Sequence, residues 1–299
     1  MALNHLKYDE INRLKWDSCI RQAFNGITYA YSWFLDIVCD EWEALVEDDY
    51  LTVMPLPIKK TWGIPMIFQP FWAHQLGIFS KAQMSPEKTE LFLESIPYKN
   101  VSIMLNAYNR LPSSSLKKHT QEMTYGAIDL ISSYSAIQKV LTPKISNKVS
   151  IAKKHSISVS RSIDANEYIQ FKKQQKTKGW NPAIVKRIIS FSTRYKSAGT
   201  YGAYNRHNEL IAQAFFIKSN QRLLLIDTVA SEEGEKKAGL YAIILHVIKN
   251  NAETNLTLEF PYSDQALSRN FQQTSHHFLQ YKKGIGRLLD GLFKQRYYL

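Results

Sequence analysis

Cysteine is scarce in this 299-residue sequence, which contains only Cys19 and Cys39. A disulfide framework needs several paired cysteines, and a cysteine-based metal site needs them at short spacing, so neither is expected to hold the fold together. Each cysteine lies among apolar residues in a segment with helical spacing. We therefore predict two reduced, buried thiols.

Long apolar runs and an export signal are also missing. No stretch approaches the roughly 20 apolar residues that a membrane-spanning helix needs. The first ten residues lack a basic stretch followed by an apolar block and a small-residue cleavage site. An apolar fraction of 44% and a charged fraction of 21% are ordinary for a globular protein. The sequence predicts a cytoplasmic protein with no transmembrane segment.

Acidic residues are scarce in the second half of the chain, so the charge is unevenly divided. Residues 1–142 contain 13 basic and 15 acidic residues, whereas residues 143–299 contain 25 basic and 11 acidic residues. The formal net charge is therefore −2 in the first part and +14 in the second. A chain of this length exceeds the usual size of one hydrophobic core. We predict two domains, 1–142 and 143–299, of which the basic one is expected to meet an anionic partner.

Hydrophobic periodicity predicts both helices and strands in each part. In the first part we expect helices over 9–24 and 33–39, a hairpin over 42–54, a helix from Pro86 and a strand over 101–105. Residues 55–79 are too rich in proline and aromatic residues for a central strand, so we expect irregular strand and loop there. In the second part we expect helices over 147–155, 166–176, 182–196, 239–249 and 264–272, and strands over 157–160, 201–205, 210–218, 223–230 and 256–260. Short polar turns separate the three strands between 201 and 230, which predicts an antiparallel meander.

The element order of the second part resembles an acyltransferase domain of the GNAT type, and the whole chain resembles the tandem-GNAT arrangement of the Fem family of peptidoglycan-bridge aminoacyltransferases. The likeness rests on short motifs, which are Trp16, 31–33, 54–57, 69–70 and 75–77 in the first part, and 179–180, 230–231 and 259–260 in the second. The resemblance implies an α+β protein of two GNAT-like domains, each with a mixed, mostly antiparallel sheet flanked by helices. It also implies transfer of an activated acyl group to a substrate amine in a cleft between the domains.

The chain departs from that pattern where an acyl donor would bind. GNAT domains usually have a Gln/Arg-x-x-Gly-x-Gly/Ala loop, whose amides meet a pyrophosphate at a helix N-terminus, but this chain reads Glu235-Lys-Lys-Ala-Gly-Leu240. It also has Glu259-Phe-Pro-Tyr-Ser263 where related proteins often have two glycines. We therefore expect no tightly bound cofactor, with acyl-CoA or aminoacyl-tRNA as the co-substrate. The alternative is a catalytically degenerate GNAT-like protein that binds RNA or another anionic ligand.

Attack by an amine on an activated acyl group needs a proton acceptor, donors for the developing oxyanion and alignment of the two substrates. The predicted catalytic residues are Asp227 in the third meander strand, Glu259 at the end of the following strand, and Tyr262 just beyond it. A plainer interpretation stays open, because a carboxylate at a strand end commonly pairs with a neighbour or faces water.

The predicted substrate-binding residues come from both parts. Trp72, His74 and Gln75 belong to an aromatic segment that either lines a cleft or packs as core between the domains. Lys148 and Lys154 belong to the basic helix that opens the second part, and they are the residues expected to meet an anionic acyl donor such as transfer RNA. Lysine-rich helices are also commonly just solvated surface.

Two further positions complete the prediction. Trp180 follows a glycine directly before a helix and is included among the substrate-binding residues on the strength of the resemblance. The adjacent pair His276 and His277 has no cysteine or third histidine at ligand spacing, so no metal site is predicted. The oligomeric state is not predicted.

Overall fold

The computed structural model describes residues 2–61, 63–112, 115–177, 179–195, 197–261, 265–271 and 274–286. These residues form two compact units, one made of the chain up to residue 124 with 276–286, and the other made of 125–275. Each unit has helices packed on a mixed, mostly antiparallel sheet, which confirms the predicted α+β class. No helix in the described ranges is long and apolar enough to cross a membrane.

The first unit is built on a sheet with the strand order β1-β2-β3-β4-β6-β13. Its elements are β1 (Leu3–Leu6), α1 (Arg13–Gln22), α2 (Ser32–Val38), β2 (Glu41–Glu47), β3 (Thr52–Thr61), β4 (Ile64–Phe68), β5 (Phe79–Ser80), α3 (Pro86–Glu94), β6 (Val101–Met104), the beginning of β7 (Thr120–Asp129), and two 3-10 helices, Thr28–Ala30 and Ser115–His119. Ser85 caps α3 by accepting a hydrogen bond from the Lys88 amide, and Pro86 occupies the first turn. The predicted helix start at Pro86 is therefore confirmed.

The prediction that residues 55–79 contain no central strand is wrong in its first part. Pro55 and Pro57 lie within β3, which has β2 on one side and β4 and β5 on the other. Both prolines pair with β2, opposite Ala44 and Trp42. On the other side of β3, β5 pairs at residues 52–53 and β4 at residues 58–61. The two prolines therefore fall where, among the described residues, β3 has one strand partner only, and a missing N–H is tolerated there.

The second unit is built on a sheet with the strand order β7-β12-β11-β10-β9-β8. Its elements after β7 are α4 (Tyr134–Val140), α5 (Pro143–Lys154), β8 (Ser158–Arg161), α6 (Ala165–Gln174), α7 (Pro182–Arg194), β9 (Ala198–Tyr204), β10 (Leu210–Ser219), β11 (Arg222–Ala230), α8 (Glu232–Lys236), α9 (Gly239–Asn251), β12 (Thr257–Glu259) and α10 (Gln265–Phe271). The predicted antiparallel meander is confirmed as β9, β10 and β11.

One face of this sheet packs on α9, whose Ile243, Ile244 and Val247 are buried against Ala214 and Phe216 of β10. The other face carries α6, and residues of β10 and β11 that point to it alternate with those that point to α9. The two faces therefore present different side chains of the same strands, and both contribute to the site described below.

The unit boundary differs from the predicted one at 142/143. Residues 125–129 of β7 pair with β12 in the second unit. The last described strand, β13 (Thr274–Lys283), returns from the far end of the chain and pairs with β6 of the first unit. Residues 125–142 contain one acidic residue, Asp129, and one basic residue, Lys139. Because their charges cancel, the charge step that divides the sequence cannot locate the boundary within this stretch.

Candidate functional site

The candidate site lies where the parallel strands β11 and β12 part. They pair only over residues 222–224 and 257–259, although β11 continues to Ala230. Among the described residues, no strand pairs with this side of residues 225–230, which we call the open edge. Backbone N–H and C=O groups along such an edge are available to a ligand with an extended chain.

A β-bulge distorts β11 within the open edge. Phe215 of β10 pairs with Asp227 and the next residue, Phe216, pairs with Leu225, so Ile226 is the extra residue. A bulge changes the direction of the backbone amides and side chains around it, and bulges are common beside active sites. The bulge thus makes the amides near Ile226 candidates for contacting a ligand atom.

Asp227, predicted to be catalytic, is held in a buried cluster beneath α6. One of its carboxylate oxygens lies 2.5 Å from the Lys172 ammonium, and the other accepts a hydrogen bond of 3.0 Å from the Tyr168 hydroxyl. Lys172 is only 5% exposed and Tyr168 is fully buried. Burial and the Asp227 charge raise the pKa of Tyr168 well above its ordinary value, so this hydroxyl stays protonated and donates.

The same cluster reaches Trp180, one of the predicted substrate-binding residues. The Lys172 ammonium lies 5.1 Å from the centre of the Trp180 ring, a cation–π distance. Trp180 is itself oriented by a hydrogen bond of 3.1 Å from its indole N–H to the Thr177 carbonyl. The structure therefore brings Asp227 and Trp180 together through Lys172, which was not among the predicted site residues.

Gln213 adds a polar group to this cluster. It is fully buried in β10, and its side-chain N–H donates a hydrogen bond of 2.7 Å to the Tyr168 carbonyl. Its side-chain oxygen has no hydrogen-bond partner among the described residues. A buried acceptor without a partner carries a desolvation cost that a ligand donor would remove.

Glu259 lies at the last paired position of β12, opposite Leu224 and directly before the open edge. It is 7% exposed, and one of its carboxylate oxygens is 3.3 Å from the Arg222 guanidinium. Burial raises the pKa of Glu259 above its ordinary value, and the Arg222 charge only partly opposes this. A raised pKa brings a carboxylate closer to the range in which it accepts a proton effectively near neutral pH.

Lys148 approaches the site from the α9 face. Its ammonium lies 5.6 Å from the centre of the Tyr241 ring, in the first turn of α9. Tyr241 stacks on Phe271, and Phe271 stacks on Phe260, which directly follows Glu259. Lys148 is thus connected to the end of β12 through three stacked aromatic rings. Lys154, by contrast, is an exposed residue in the last turn of α5, where the helix dipole favours a positive charge.

The turn before α9 is acidic. It forms the short helix α8, in which Lys236 and Lys237 make ion pairs of 2.5 and 2.6 Å with Glu232 and Glu233. With Glu235, three carboxylates face two ammonium groups in this segment. The position that the family pattern reserves for a pyrophosphate therefore carries a net negative charge, which disfavours a phosphate there.

Of the remaining predicted residues of the first unit, Trp72 and Gln75 are buried and His74 is half-buried in that unit's own structure. Trp72 packs edge-on against Phe71 with ring centres 5.0 Å apart, and His74 packs edge-on against Tyr29 at 5.6 Å. Gln75 is 4% exposed, and its side-chain oxygen has no partner among the described residues. That these residues line a cleft stays a prediction.

Tyr262 lies outside the described residues, so its predicted catalytic role is neither supported nor opposed. Within the described ranges, no three His, Cys, Asp or Glu side chains form a group that could hold a metal ion. His277 makes a contact of 2.6 Å with Glu122. Both cysteines are free thiols, and burial raises the pKa of Cys19 to about 11, so this thiol is unreactive near neutral pH.

Sequence reasoning missed the partners that hold the two predicted carboxylates. Tyr168 and Lys172 lie four residues apart on α6, and this spacing places both on one helix face. Arg222 lies two residues before Leu224, the residue that pairs with Glu259. The helical spacing could have been found in the sequence, but the pairing of either group with Asp227 or Glu259 depends on the strand register.

No family model and no curated protein matches the sequence. The fold, however, matches solved structures over nearly the full chain. FemX superposes with a TM-score of 0.64 over 99% of this chain and 100% of its own, at 10% identity. L-PGS from Bacillus licheniformis gives 0.53 over 88% and 90% at 10% identity, and a conserved protein of unknown function from Bacteroides thetaiotaomicron gives 0.53 over 92% and 98% at 9% identity. The chain shares the fold of FemX and L-PGS, which confirms the predicted resemblance at the level of fold.

Proposed function

We propose that the protein is an acyl- or aminoacyltransferase that binds its acyl donor along the open edge of β11 and transfers the acyl group to a substrate amine. The observation that carries the proposal is the parting of β11 and β12. Among the described residues it leaves a bulged strand with no strand partner on this side, beside the half-buried Asp227 and the buried Glu259. The fold shared with FemX and L-PGS supports the same class of reaction.

The charge distribution favours an aminoacyl ester over acyl-CoA as the donor. A CoA pyrophosphate would meet the three carboxylates of α8 at the start of α9. An aminoacyl-tRNA needs no phosphate at that position, and its polyanionic chain would be attracted by the lysines of α5, which include Lys148 and Lys154. The ester carbonyl and the amino group of an aminoacyl ester are polar groups that can bind to the backbone of the open edge.

In the proposed reaction the substrate amine attacks the acyl carbon of the donor. A C–N bond forms, the C–O bond to the donor breaks, and the released hydroxyl takes up a proton. Glu259 is proposed to accept the proton that the amine loses, since burial raises its pKa. Backbone N–H groups near the bulge at Ile226 are proposed to stabilise the oxyanion. Tyr262 is proposed to supply the proton to the leaving oxygen.

The cluster around Asp227 has a different role in this proposal. Both oxygens of Asp227 already accept hydrogen bonds, from Lys172 and Tyr168, so the carboxylate is engaged by side chains of α6. Its position within the open edge suits it instead to fix the bulged strand against α6. We propose that Asp227 positions β11, the strand along which the acyl donor binds, and that Trp180 lies at the margin of the substrate site.

The test is a transfer assay with aminoacyl-tRNA or acyl-CoA as donor and amine acceptors, followed by mass spectrometry. Glu259→Gln and Tyr262→Phe are each expected to lower turnover about 100-fold, a loss typical of a missing proton-transfer group. Glu253→Gln, which removes the same charge from an exposed loop position, is the control. Unchanged turnover in Glu259→Gln and Tyr262→Phe, with unaltered melting temperatures, would remove both residues from the mechanism.

A second candidate function is binding of RNA or another anion without catalysis. It is favoured by the ion pairs that already engage Asp227 and Glu259, and by the acidic α8. Thermal stability distinguishes the two functions, because a ligand stabilises the state that binds it. A transferase should be stabilised more by aminoacyl-tRNA than by uncharged tRNA. A binding protein should be stabilised equally by both, with a steep dependence on salt.

A further inference from the structure

Two adjoining cavities lie at the end of the second unit's sheet where β10 turns into β11. Their volumes are about 530 and 310 Å³, and both are lined by Ser197 and Lys218. We call them together the terminal groove. Leu223 lines the smaller cavity at the beginning of β11, whereas the open edge occupies the other end of that strand. The terminal groove is therefore separate from the proposed donor site.

The charged residues that line the terminal groove are all basic in the described part of the chain. They are Arg161 at the end of β8 and Lys218 near the end of β10. Lys218 makes no ion pair within the described residues. The Arg161 guanidinium donates to the Ala198 carbonyl at 3.5 Å and lies 5.9 Å from the centre of the Tyr201 ring. Two cations facing one cavity without a carboxylate favour an anionic ligand.

Gly199 gives Arg161 the space for this position. A Cβ atom at Gly199 would lie 3.2 Å from the Arg161 Nε atom and 2.9 Å from the Tyr201 ring. Any larger residue would push the guanidinium or the ring out of place. The lack of a side chain at Gly199 thus leaves room for the Arg161 guanidinium beside the Tyr201 ring.

The end of α9 also borders the terminal groove, and its carbonyl groups could in principle explain the two cations. Two of these carbonyls have partners of their own. The Asn251 side chain donates a hydrogen bond of 2.8 Å to the Val247 carbonyl, and the Thr254 hydroxyl donates one of 2.6 Å to the Asn251 carbonyl. The Asn251 carbonyl is therefore capped by Thr254, and the Arg161 guanidinium donates to the Ala198 carbonyl on β9 instead of to the helix end.

The larger cavity adds an aromatic ring and amide groups. Tyr195 is 65% exposed, and its ring rests on Phe191 with a centre-to-centre distance of 4.9 Å. Asn220, Gln221 and Asn255 lie on the same cavity. A supported, exposed ring is a platform on which a planar base can stack, and amides offer both donors and acceptors to a base edge.

We infer that the terminal groove binds a nucleotide unit, with the phosphate on Arg161 and Lys218 and the base stacked on Tyr195. The combined volume suits a ligand of that size. The nucleotide can come from a free mononucleotide or from one residue of an RNA strand. Both present the same phosphate and the same base to the groove. The inference does not depend on the proposed transferase activity.

The test measures the binding of AMP, ribose 5-phosphate and a ten-residue oligouridylate to the full chain by calorimetry. The double variant Arg161→Gln/Lys218→Gln is expected to weaken binding of AMP or of the oligonucleotide at least tenfold. The control, Lys139→Gln/Arg187→Gln, removes the same charge from exposed positions on α4 and α7 and is expected to change it less than twofold. Tyr195→Ala is expected to reduce the affinity for AMP to that for ribose 5-phosphate.

The outcomes are distinct. Binding of AMP alone supports the assignment with a free nucleotide as the source, and binding of the oligonucleotide in preference to AMP supports it with RNA as the source. Equal losses in the two double variants would show a general charge effect and overturn it. It would also be overturned if neither probe bound the unaltered protein at millimolar concentration, or if Tyr195→Ala bound AMP as tightly as the unaltered protein.

Discussion

The two units each contain one parallel strand pair in an otherwise antiparallel sheet, and they use the space beyond that pair differently. In the first unit, β4 and β6 pair at Ile67 with Val101 and at Phe68 with Ser102. The chain then stays beside β6, because the Gln69 amide donates to the Ser102 carbonyl at 2.9 Å. In the second unit, β11 and β12 pair over three positions, and among the described residues nothing follows on that side of β11.

In the first unit, the loop over residues 69–78 fills the space beyond the β4–β6 pair. The Gln69 side-chain oxygen accepts a hydrogen bond of 2.9 Å from the Met104 amide, and the Leu76 amide donates one of 2.8 Å to the Met104 carbonyl. Leu76 also forms a parallel bridge with Leu105. The loop thus supplies the hydrogen bonds that an incoming strand would otherwise make.

This difference indicates that the loop after the first strand of such a parallel pair determines whether the space beyond the pair is covered. In the first unit residues 69–78 return to the sheet before α3 begins. In the second unit the chain leaves β11 directly for α8, and no strand in the described part of the chain pairs with this side of residues 225–230. The open edge therefore distinguishes the second unit from the first. The substitutions below test which side chains hold it in place.

We expect the largest loss of stability from breaking the ion pair between Asp227 and Lys172 beneath the open edge. Asp227→Asn leaves the Lys172 ammonium buried without its carboxylate, which should lower the free energy of unfolding by about 3–5 kcal/mol. Because both charges are lost together, Asp227→Leu/Lys172→Met should recover most of that stability. Denaturant unfolding measures both variants.

Glu253→Gln, which removes an exposed carboxylate of the same unit, serves as the reference and should change little. If Asp227→Asn were as stable as this reference, the pair would not hold β11 against α6. The difference between a filled and an open edge would then need another explanation.

The next prediction concerns the hydrogen bonds that hold the loop over 69–78 in the first unit. Asn106 donates hydrogen bonds to the carbonyls of Leu76 and Ile78 and to the Asn109 side chain, at 3.0–3.2 Å. It is 1% exposed, and its side-chain oxygen accepts a hydrogen bond of 3.1 Å from the Tyr108 amide. Asn106→Ala removes the side-chain partner of the Leu76 carbonyl and of the Tyr108 amide, and should cost about 2–4 kcal/mol of unfolding free energy. Denaturant unfolding measures this loss.

Asn147→Ala removes an exposed amide from the middle of α5 and should be neutral or slightly stabilising, since alanine favours a helix. A similarly small effect of Asn106→Ala would mean that the loop over 69–78 is held by its apolar residues alone. The gap between the two asparagine variants therefore measures the contribution of the amide network.

The pH dependence of stability should have opposite signs at one buried glutamate of each unit. In the first unit, burial alone would raise the pKa of Glu43, but hydrogen bonds from Lys7, Tyr98 and His5 outweigh it and hold the pKa below its ordinary 4.5. Its contribution is therefore fully present above about pH 5 and is lost as the pH falls through the folded-state pKa. Glu43→Gln should make stability less sensitive to acid below pH 4.5.

In the second unit the pKa of Glu259 is raised by burial. The folded state then binds a proton at pH values where the unfolded state does not, so stability rises as the pH falls from the folded-state pKa toward 4.5. Glu259→Gln should abolish that rise. Unfolding free energies measured from pH 3 to pH 8 check both variants, and the same slope in both would contradict the assigned pKa directions.

Local chemistry accounts for what could be predicted from the sequence. Asn181 and Pro182 mark the start of α7, and the apolar residues of α9 recur at helical spacing, so both helices begin at the predicted residues. The short turn near Asn208 likewise predicts the meander. These features depend on residues that are close together in the chain.

Long-range pairing accounts for what could not be predicted. Residues 125–129 of β7 and residues 276–283 of β13 are assigned to opposite units, where they pair with β12 and β6. Nothing in their own sequence indicates which partner each one takes. The carboxylate of Asp227 was found in the sequence, but its partner Lys172 lies 55 residues away. The open edge is likewise invisible in the sequence, because it is defined by where β12 ends relative to β11.

The smallest expected effect concerns the acidic turn that follows the open edge. Glu232→Gln/Glu235→Gln releases Lys236 from its ion pair and leaves two ammonium groups facing the single carboxylate of Glu233. Because a phosphate would then meet a net positive turn at the start of α9, the affinity for CoA should rise about 3–10-fold at low salt. Calorimetry measures the change, and Glu167→Gln/Glu253→Gln removes the same charge elsewhere in the unit as the control. If both double variants gained equally, net charge alone would explain the gain, and the turn would not be what separates this unit from a CoA-binding one.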